Sequence, residues 1–367
     1  MTTHLNNYTQ NDTNSLLLYR EISREVQDHE KYLLYFEAGF IPNRVYHTSI
    51  FPFKANFPSK PCSYFVGSIH GLVCLSDTPY LVPESRIILW NPLLQKFIKL
   101  PKSITATNDL VGLTSVLGFA YNSKRNDHRV VKISYKRGDN ELSPLIEVYS
   151  VWEHTWRTIT RDYLVDNSIH SVSFSHCFIN GVIHWLVRSE DEKISCFIND
   201  RIVRFVKWIL LFDVVEETFQ TIELPEAIVE LRLGNFGVCE YKSKLSLSWY
   251  VNRVIFDNSF SDVIYRVWVK DDESWCMILN IELHNYTHIG PIEYLGRKLR
   301  NGEIFGFIRK SDGMLMMYDF MDRQFIELGF CQDDSTKFAA FTDSLVLLDQ
   351  NTDAYTDDEL ERYFQII

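Results

Sequence analysis

Five times along this chain an aromatic residue is followed seven positions later by another, and three positions after that by Ile or Leu. The copies are Trp90/Phe97/Leu100, Tyr149/Trp156/Ile159, Phe212/Phe219/Ile222, Trp268/Trp275/Ile278 and Tyr318/Phe325/Leu328. The residue before the first aromatic is apolar each time: Leu89, Val148, Leu211, Val267, Met317. Three before it stand Ile87, Ile146, Ile209, Tyr265 and Leu315, and just after it Asn91, Ser150, Asp213, Val269 and Asp319. Aromatics make up 14% of the chain, so one such pair is expected by chance; five matching columns at intervals of 50 to 63 residues are not.

This spacing fixes a geometry. Facing positions in an antiparallel hairpin have a constant sum, so if i faces i+7 then i−3 faces i+10. Trp90 then pairs with Phe97 and Ile87 with Leu100, and the same holds for every copy, Trp268 with Trp275 and Tyr265 with Ile278 included. Asn, Ser or Asp at i+1 in four of the five copies can accept hydrogen bonds from turn amides. Residues i and i−1 point to opposite faces of the strand and both are apolar, so the hairpin must be covered on both sides. Blades stacked around a β-propeller meet that demand, each shielding the next. A parallel α/β sheet would need amphipathic helices, whereas the intervening segments read as further strands: "GLVCLS" (71–76), "HRVVKISY" (128–135), "GVIHWLV" (181–187), "KLSLSWYV" (244–251) and "GEIFGFIRK" (302–310).

The ends extend the pattern. Leu16, Leu18 and Tyr19 match the first half of the motif, "KYLLYF" (31–36) supplies the second, and "DSLVLLD" (343–349) is a free apolar strand. A sixth blade built from both termini removes the exposed edges of an open array. The sequence therefore predicts an all-β chain: a single propeller of six blades over residues 14–350, closed by pairing of the N- and C-terminal segments, after a flexible stretch 1–13 and before an acidic tail 351–367.

A formal charge of −11 with no Lys/Arg-rich block argues against a nucleic-acid partner, which needs phosphate-neutralising cations. No basic-then-apolar leader opens the chain and no apolar run is long enough to span a bilayer, so no membrane partner is expected and the location predicted is cytoplasm or nucleus. Cys62, Cys74, Cys177, Cys196, Cys239, Cys276 and Cys331 are scattered and never spaced C-x-x-C, which predicts small buried hydrophobes in a reducing compartment.

Catalytic and metal constellations are present only as lookalikes. Asp349, Asn351, Asp353 and Asp357 occupy EF-hand spacing, but Ala354 stands where the sharp turn needs Gly and Leu360 where a bidentate Glu should close the site. His284 and His288 are four apart, among residues that form helix poorly and with no third ligand nearby. His176 beside Cys177, and His184 beside Trp185, sit in apolar strand runs and read as interior residues, not a nucleophile pair. No cofactor, metal or catalytic residue is predicted.

The segments "HGLVCLS…ILWNPLLQKFIKLP", "GFAYNSKRNDHRVVKI…IEVYSVWEHTWRTI" and "FINGVIHWLV…ILLFDVVEETFQTIELP" resemble, in that order, the F-box-associated region of plant F-box (F-box/kelch-repeat) proteins, to which the S-locus F-box group is similar. The resemblance covers roughly residues 68–348. It implies kelch-like blades and a non-catalytic protein that selects the target of an SCF-type cullin ubiquitin ligase, while an amino-terminal F-box docks on the Skp-type linker. No helical F-box precedes the repeats; "TTHLNN" (2–7) resembles the segment that follows one, so linker and cullin are expected as partners only if an F-box lies upstream. The alternatives are a stand-alone interaction propeller outside any ligase and a propeller hydrolase.

Binding by a propeller falls to irregular loops. "RSEDEKISCFINDRIVRFVK" (188–207) lengthens the third repeat and changes from acidic (Glu190, Asp191, Glu192) to basic (Arg201, Arg204). "NRVIFDNSFSDV" (252–263) carries Phe256 and Phe260 among polar residues. Aromatic and Arg side chains of this kind make these seven the candidate contacts for a target protein.

Overall fold

A computed structural model describes residues 15–22, 30–36, 45–50, 64–76, 86–91, 94, 96–104, 113–136, 144–159, 172–188, 196–198, 201–203, 206–229, 235–254, 261–272, 274–283, 305–309, 314–319, 324–331 and 338–342, with side chains placed only between Phe65 and Glu282. In chain order the strands are Ser15–Ile22 (β1), Glu30–Phe36 (β2), Val45–Ile50 (β3), Tyr64–Ile69 (β4), Leu72–Ser76 (β5), Ile87–Asn91 (β6), Lys96–Lys99 (β7), Leu113–Asn122 (β8), Asp127–Lys136 (β9), Leu145–Ser150 (β10) and Thr155–Ile159 (β11). Next come Val172–Ile179 (β12), Val182–Arg188 (β13), Cys196–Ile198 (β14), Arg201–Val203 (β15), Val206–Asp213 (β16), Phe219–Glu223 (β17), Asn235–Tyr241 (β18), Lys244–Val254 (β19), Ser261–Asp271 (β20) and Ser274–Leu283 (β21). Phe305–Arg309 (β22), Met314–Asp319 (β23), Gln324–Cys331 (β24) and Phe338–Thr342 (β25) follow, and Glu226–Val229 forms one helical turn (α1).

These strands make antiparallel sheets in the order β4-β5-β6-β7, β8-β9-β10-β11, β12-β13-β16-β17, β18-β19-β20-β21 and β22-β23-β24, with β14-β15 as a separate hairpin. The remaining sheet, β25-β1-β2-β3, joins the two ends of the chain: Leu16 faces Phe341 in β25 and Phe36 in β2. The strand that pairs with β1 is Phe338–Thr342, not the expected 343–349, which lies outside the described residues, as do 1–13 and 351–367.

Each of the middle sheets is apolar on both faces, as the repeat requires. Ile87 and Leu89 pack toward Phe119, Val130 and Tyr149 of the next sheet, while Ile88 and Trp90, also buried, alternate to the other side. Val131, Ile133, Ile146 and Val148 face Trp185, Leu210 and Phe212, and Leu186 and Ile209 face Leu247, Trp249 and Trp268. Full burial of each such side chain contributes about 1.5–3 kcal/mol, so the seams between sheets form the core. The Trp185 indole donates to Leu117 O at 3.2 Å across one seam, and Trp156 Nε1 to Pro101 O at 2.8 Å across another.

The predicted register is found in three copies in full. Trp90 faces Phe97, Tyr149 faces Trp156 and Phe212 faces Phe219. The outer columns agree: Leu100 N–H donates to Ile87 O at 2.8 Å, Ile146 faces Ile159 and Ile209 faces Ile222. In the fifth copy Tyr318 faces Phe325, but a bulge beyond Met316 pairs Met314 with Cys331 and breaks the Leu315/Leu328 column. The fourth copy departs altogether: Trp275 faces Lys270, Trp268 faces Met277 and Tyr265 faces Ile281. The cause is the turn. Asn91 Oδ1 accepts from Leu94 N–H (3.2 Å), Ser150 Oγ from Glu153 N–H (3.0 Å), and Asp213 Oδ1 from both Val215 and Glu216 N–H (2.8 Å each). Val269 at that position has no acceptor, so the strand runs on to Asp271, which faces Ser274 across a tighter turn.

The cysteines depart from expectation too. Cys74 is buried and Cys177 and Cys239 are half-buried, but Cys276 is exposed on β21.

Candidate partner-binding surface

Antiparallel order sorts the connections onto two ends. The β4–β5, β6–β7, β8–β9, β10–β11, β12–β13, β16–β17, β18–β19 and β20–β21 turns leave one end; the connections between second and third strands, and between sheets, leave the other.

The turn end is short and stiff. Residues 70–71, 180–181 and 242–243 each join their strands as two-residue loops with both φ positive, the twist that suits a right-handed hairpin. Neighbouring turns are tied together: Asn180 Nδ2 donates to Ser243 O (3.0 Å), Asn122 Nδ2 to Val214 O (3.0 Å), and Val214 N–H to Gly181 O (3.0 Å). Lys124 pairs with Glu216 at 2.7 Å and Arg157 with Glu217. Beneath them lies a buried ion pair, Arg129 Nε 2.7 Å from Asp127 Oδ2. That carboxylate also accepts from Ser150 Oγ (2.6 Å) and from Trp152 N–H (2.9 Å), which fixes the β10–β11 turn and holds the Trp152 indole in solvent, 81% exposed.

On the other face of β9, His128 packs against Phe119, Tyr121 and His70, and its Nε2 lies 3.3 Å from Ile69 O. Burial holds its pKa down at about 4, so the ring is neutral and Nε2–H donates to that carbonyl. Lys132 donates to Ser103 Oγ at 2.6 Å and lies 3.6 Å from the buried Glu147 carboxylate; burial lowers its pKa, and the Glu147 charge opposes that. This pair pins the strand leading from β7 toward β8.

The interior histidines and cysteines behave as packing groups. Trp185 faces His176 and His184 faces Cys177 across β12–β13; burial lowers the His184 pKa to about 4 and pushes the Cys177 thiol up. A neutral imidazole opposite a protonated thiol is no activated nucleophile.

Both candidate loops leave from the loop end. β13 ends at Arg188 and β16 begins at Val206, while β19 ends at Val254 and β20 begins at Ser261. The long connection contains the β14–β15 hairpin, in which Arg201 faces Ile198. Topology thus brings the two stretches to one side of the molecule. Arg201 is placed as backbone only; Glu190, Asp191, Glu192, Arg204, Phe256 and Phe260 lie outside the described residues, as do His284, His288 and the Asp349–Leu360 stretch. Sequence reasoning did not single out Trp152 or Met277 (54% exposed), and it placed Ile278 (41%) in a packing column of the repeat.

The F-box associated beta propeller domain profile matches residues 26–295. This chain belongs to the F-box-associated β-propeller family. It is 23% identical to "Putative F-box protein At3g10240" of Arabidopsis thaliana over 290 residues, 73% of this chain and 64% of that protein. A second Arabidopsis thaliana relative, "F-box protein At3g07870", is 33% identical over 82 residues, 22% of this chain and 18% of the other. The chain thus spans less than two thirds of the relatives it matches. Among solved structures, the β-propeller domain of the Trilobed protease from Pyrococcus furiosus aligns with TM-score 0.38 and 8% identity over 88% of this chain and 84% of that one. In this F-box-associated propeller the described turns of one end tie neighbouring sheets together.

Proposed function

We propose that this chain is the substrate-selecting part of an SCF-type cullin ubiquitin ligase, acting as a non-catalytic adaptor. The observation that supports it is family membership over residues 26–295, together with relatives named as F-box proteins. The target protein docks on the loop end, where Glu190, Asp191, Glu192, Arg201 and Arg204 supply charge and Phe256 and Phe260 supply apolar anchors. The Skp-type linker and the cullin are partners in this reading only if an F-box lies upstream of the propeller, and cytoplasm or nucleus is the location it proposes.

The test is native purification of the endogenous, full-length protein, followed by identification of its stoichiometric partners. Linker and cullin are expected together with a target whose abundance rises when the gene is silenced. A stable partner recovered without linker or cullin would replace this reading with a stand-alone interaction propeller.

A further inference from the structure

Outer strands are the exposed edges of propeller sheets, and their unpaired N–H and C=O groups invite another strand unless blunted. Three of the four outer strands with described side chains are short and polar outward. β7 spans four residues and exposes Lys96 and Lys99; β11 spans five and exposes Thr155 and Thr158; β17 spans five and exposes Gln220, Thr221 and Glu223. β21 is ten residues long, contains no Lys, Arg or Pro, and exposes Cys276, Met277 and Ile278. Among the described residues it pairs with β20 alone.

This is also where the repeat fails. The shift between Val267 and Trp268 leaves Ile278 without a partner between Met277 and Leu279, a β-bulge. In the first three copies the tenth-position aliphatic is interior or half-buried; here the bulge brings it to the surface beside Met277. The edge is flanked by carboxylates, with Asp271 and Asp272 exposed at one end and Glu282 at the other. Asp271 is paired with Lys244 at 2.6 Å and the Lys270 ammonium lies on the Asp271 and Asp272 carbonyls, so Glu282 carries the charge left to a partner.

We propose that the open edge of β21 is a second interaction surface, which takes an extended segment of a partner protein by strand addition. The backbone supplies the hydrogen bonds, Met277 and Ile278 supply the apolar contact, and the acidic end at Glu282 selects a segment with a basic residue at that flank. The bulge interrupts the ladder and so disfavours pairing of β21 with a second copy of itself. The surface is separate from the loop end and does not depend on the ligase role.

The probe is a synthetic peptide of alternating Val and Thr, matched to β21 in length, with lysines at both ends. Binding to the full chain is measured by fluorescence anisotropy and located by hydrogen exchange. Wild type should bind and show slowed exchange in β21; Met277→Lys with Ile278→Lys should weaken binding at least about tenfold, and N-methylation of every peptide amide should abolish it. Trp152→Ala, at a distant turn, should leave it unchanged. Failure of the wild type to bind, equal binding of the N-methylated peptide, protection confined to other strands, or a dimer held through β21 would each overturn the proposal. The N-methyl and exchange measurements use wild-type protein, so they stand even if the double variant does not fold.

Discussion

A methyl group added at Gly118 tests the seam between two sheets. Gly118 lies in β8 opposite Val131, and a Cβ there would stand 2.4 Å from Trp185 Cζ2 and 3.0 Å from Ile183 Cδ1. Ordinary contact begins near 3.4 Å, so the indole, fully buried, must withdraw by about an ångström, or the strands must part. Overpacking of this kind costs about 1–3 kcal/mol. Withdrawal also breaks the 3.2 Å bond from Trp185 Nε1 to Leu117 O, worth about 0.5–1.5 kcal/mol. Replacing Gly in a strand returns about 0.5–1 kcal/mol. The net loss for Gly118→Ala is therefore about 2 kcal/mol. Gly67→Ala is the control, since its Cβ would meet Phe119 Cβ at 3.4 Å and displace nothing. Urea unfolding followed by tryptophan fluorescence should show a lower midpoint for Gly118→Ala, while Gly67→Ala matches wild type or gains up to about 1 kcal/mol. The loss should shrink in a Trp185→Phe background, where the obstructing atom is gone. Equal behaviour of the two glycine variants would refute the packing described for this seam.

Other outcomes follow from the turns and the buried imidazoles. His128 and His184 are held at about 4 in the fold against 6.5 in the unfolded chain, so their stabilisation is complete above pH 6.5 and is lost as pH falls toward 4. At pH 5 each costs about 2 kcal/mol relative to pH 7, His128→Gln should remove about half the combined drop, and a flat urea midpoint between those pH values would contradict the burial of both rings. Lys242 and Ser243 occupy left-handed backbone (φ 48° and 60°) where the equivalent turn has Asn180-Gly181; Lys242→Asn with Ser243→Gly should raise stability by about 1 kcal/mol, and a fall in melting temperature would count against the turn. Asp213→Ala removes an acceptor of two amide bonds and should cost about 1–2 kcal/mol; a denaturation midpoint equal to wild type would count against these bonds.

Register was legible in the sequence wherever the turn carried its own acceptor. Asn91, Ser150 and Asp213 each close a loop that sets the pairing sum, and counting from them reproduces the observed partners. Val269 breaks the rule and the pairing breaks with it, so Trp268 and Trp275, seven apart, do not face each other. The charges of β9 could not be placed by pattern. Asp127 and Arg129 on one face and His128 and Lys132 on the other are charged or polar positions, yet all four are buried: the first two pair with each other and with the β10–β11 turn of their own sheet, His128 with Ile69 O of the adjoining sheet, and Lys132 with Ser103 and Glu147. Such partners come from distant sequence, and no periodicity within a strand reports them.

The buried Asp127–Arg129 pair bears on why the two ends of the molecule differ. An ion pair out of water is often no more stabilising than apolar residues of the same volume, so hydrophobic packing alone does not account for it. What Asp127 does that a Leu could not is hold two separate groups of the β10–β11 turn, Ser150 Oγ and Trp152 N–H, on one carboxylate. The adjacent turns are fixed in the same way, by Asn122 on Val214 O and Asn180 on Ser243 O, so the sheets are locked in register with one another at that end. With the sheets fixed there, connections at the opposite end can change in length and charge without disturbing the seams, because no cross-sheet bond of the turn end runs through them. The long 188–207 connection, proposed above as a target contact, leaves from that opposite end.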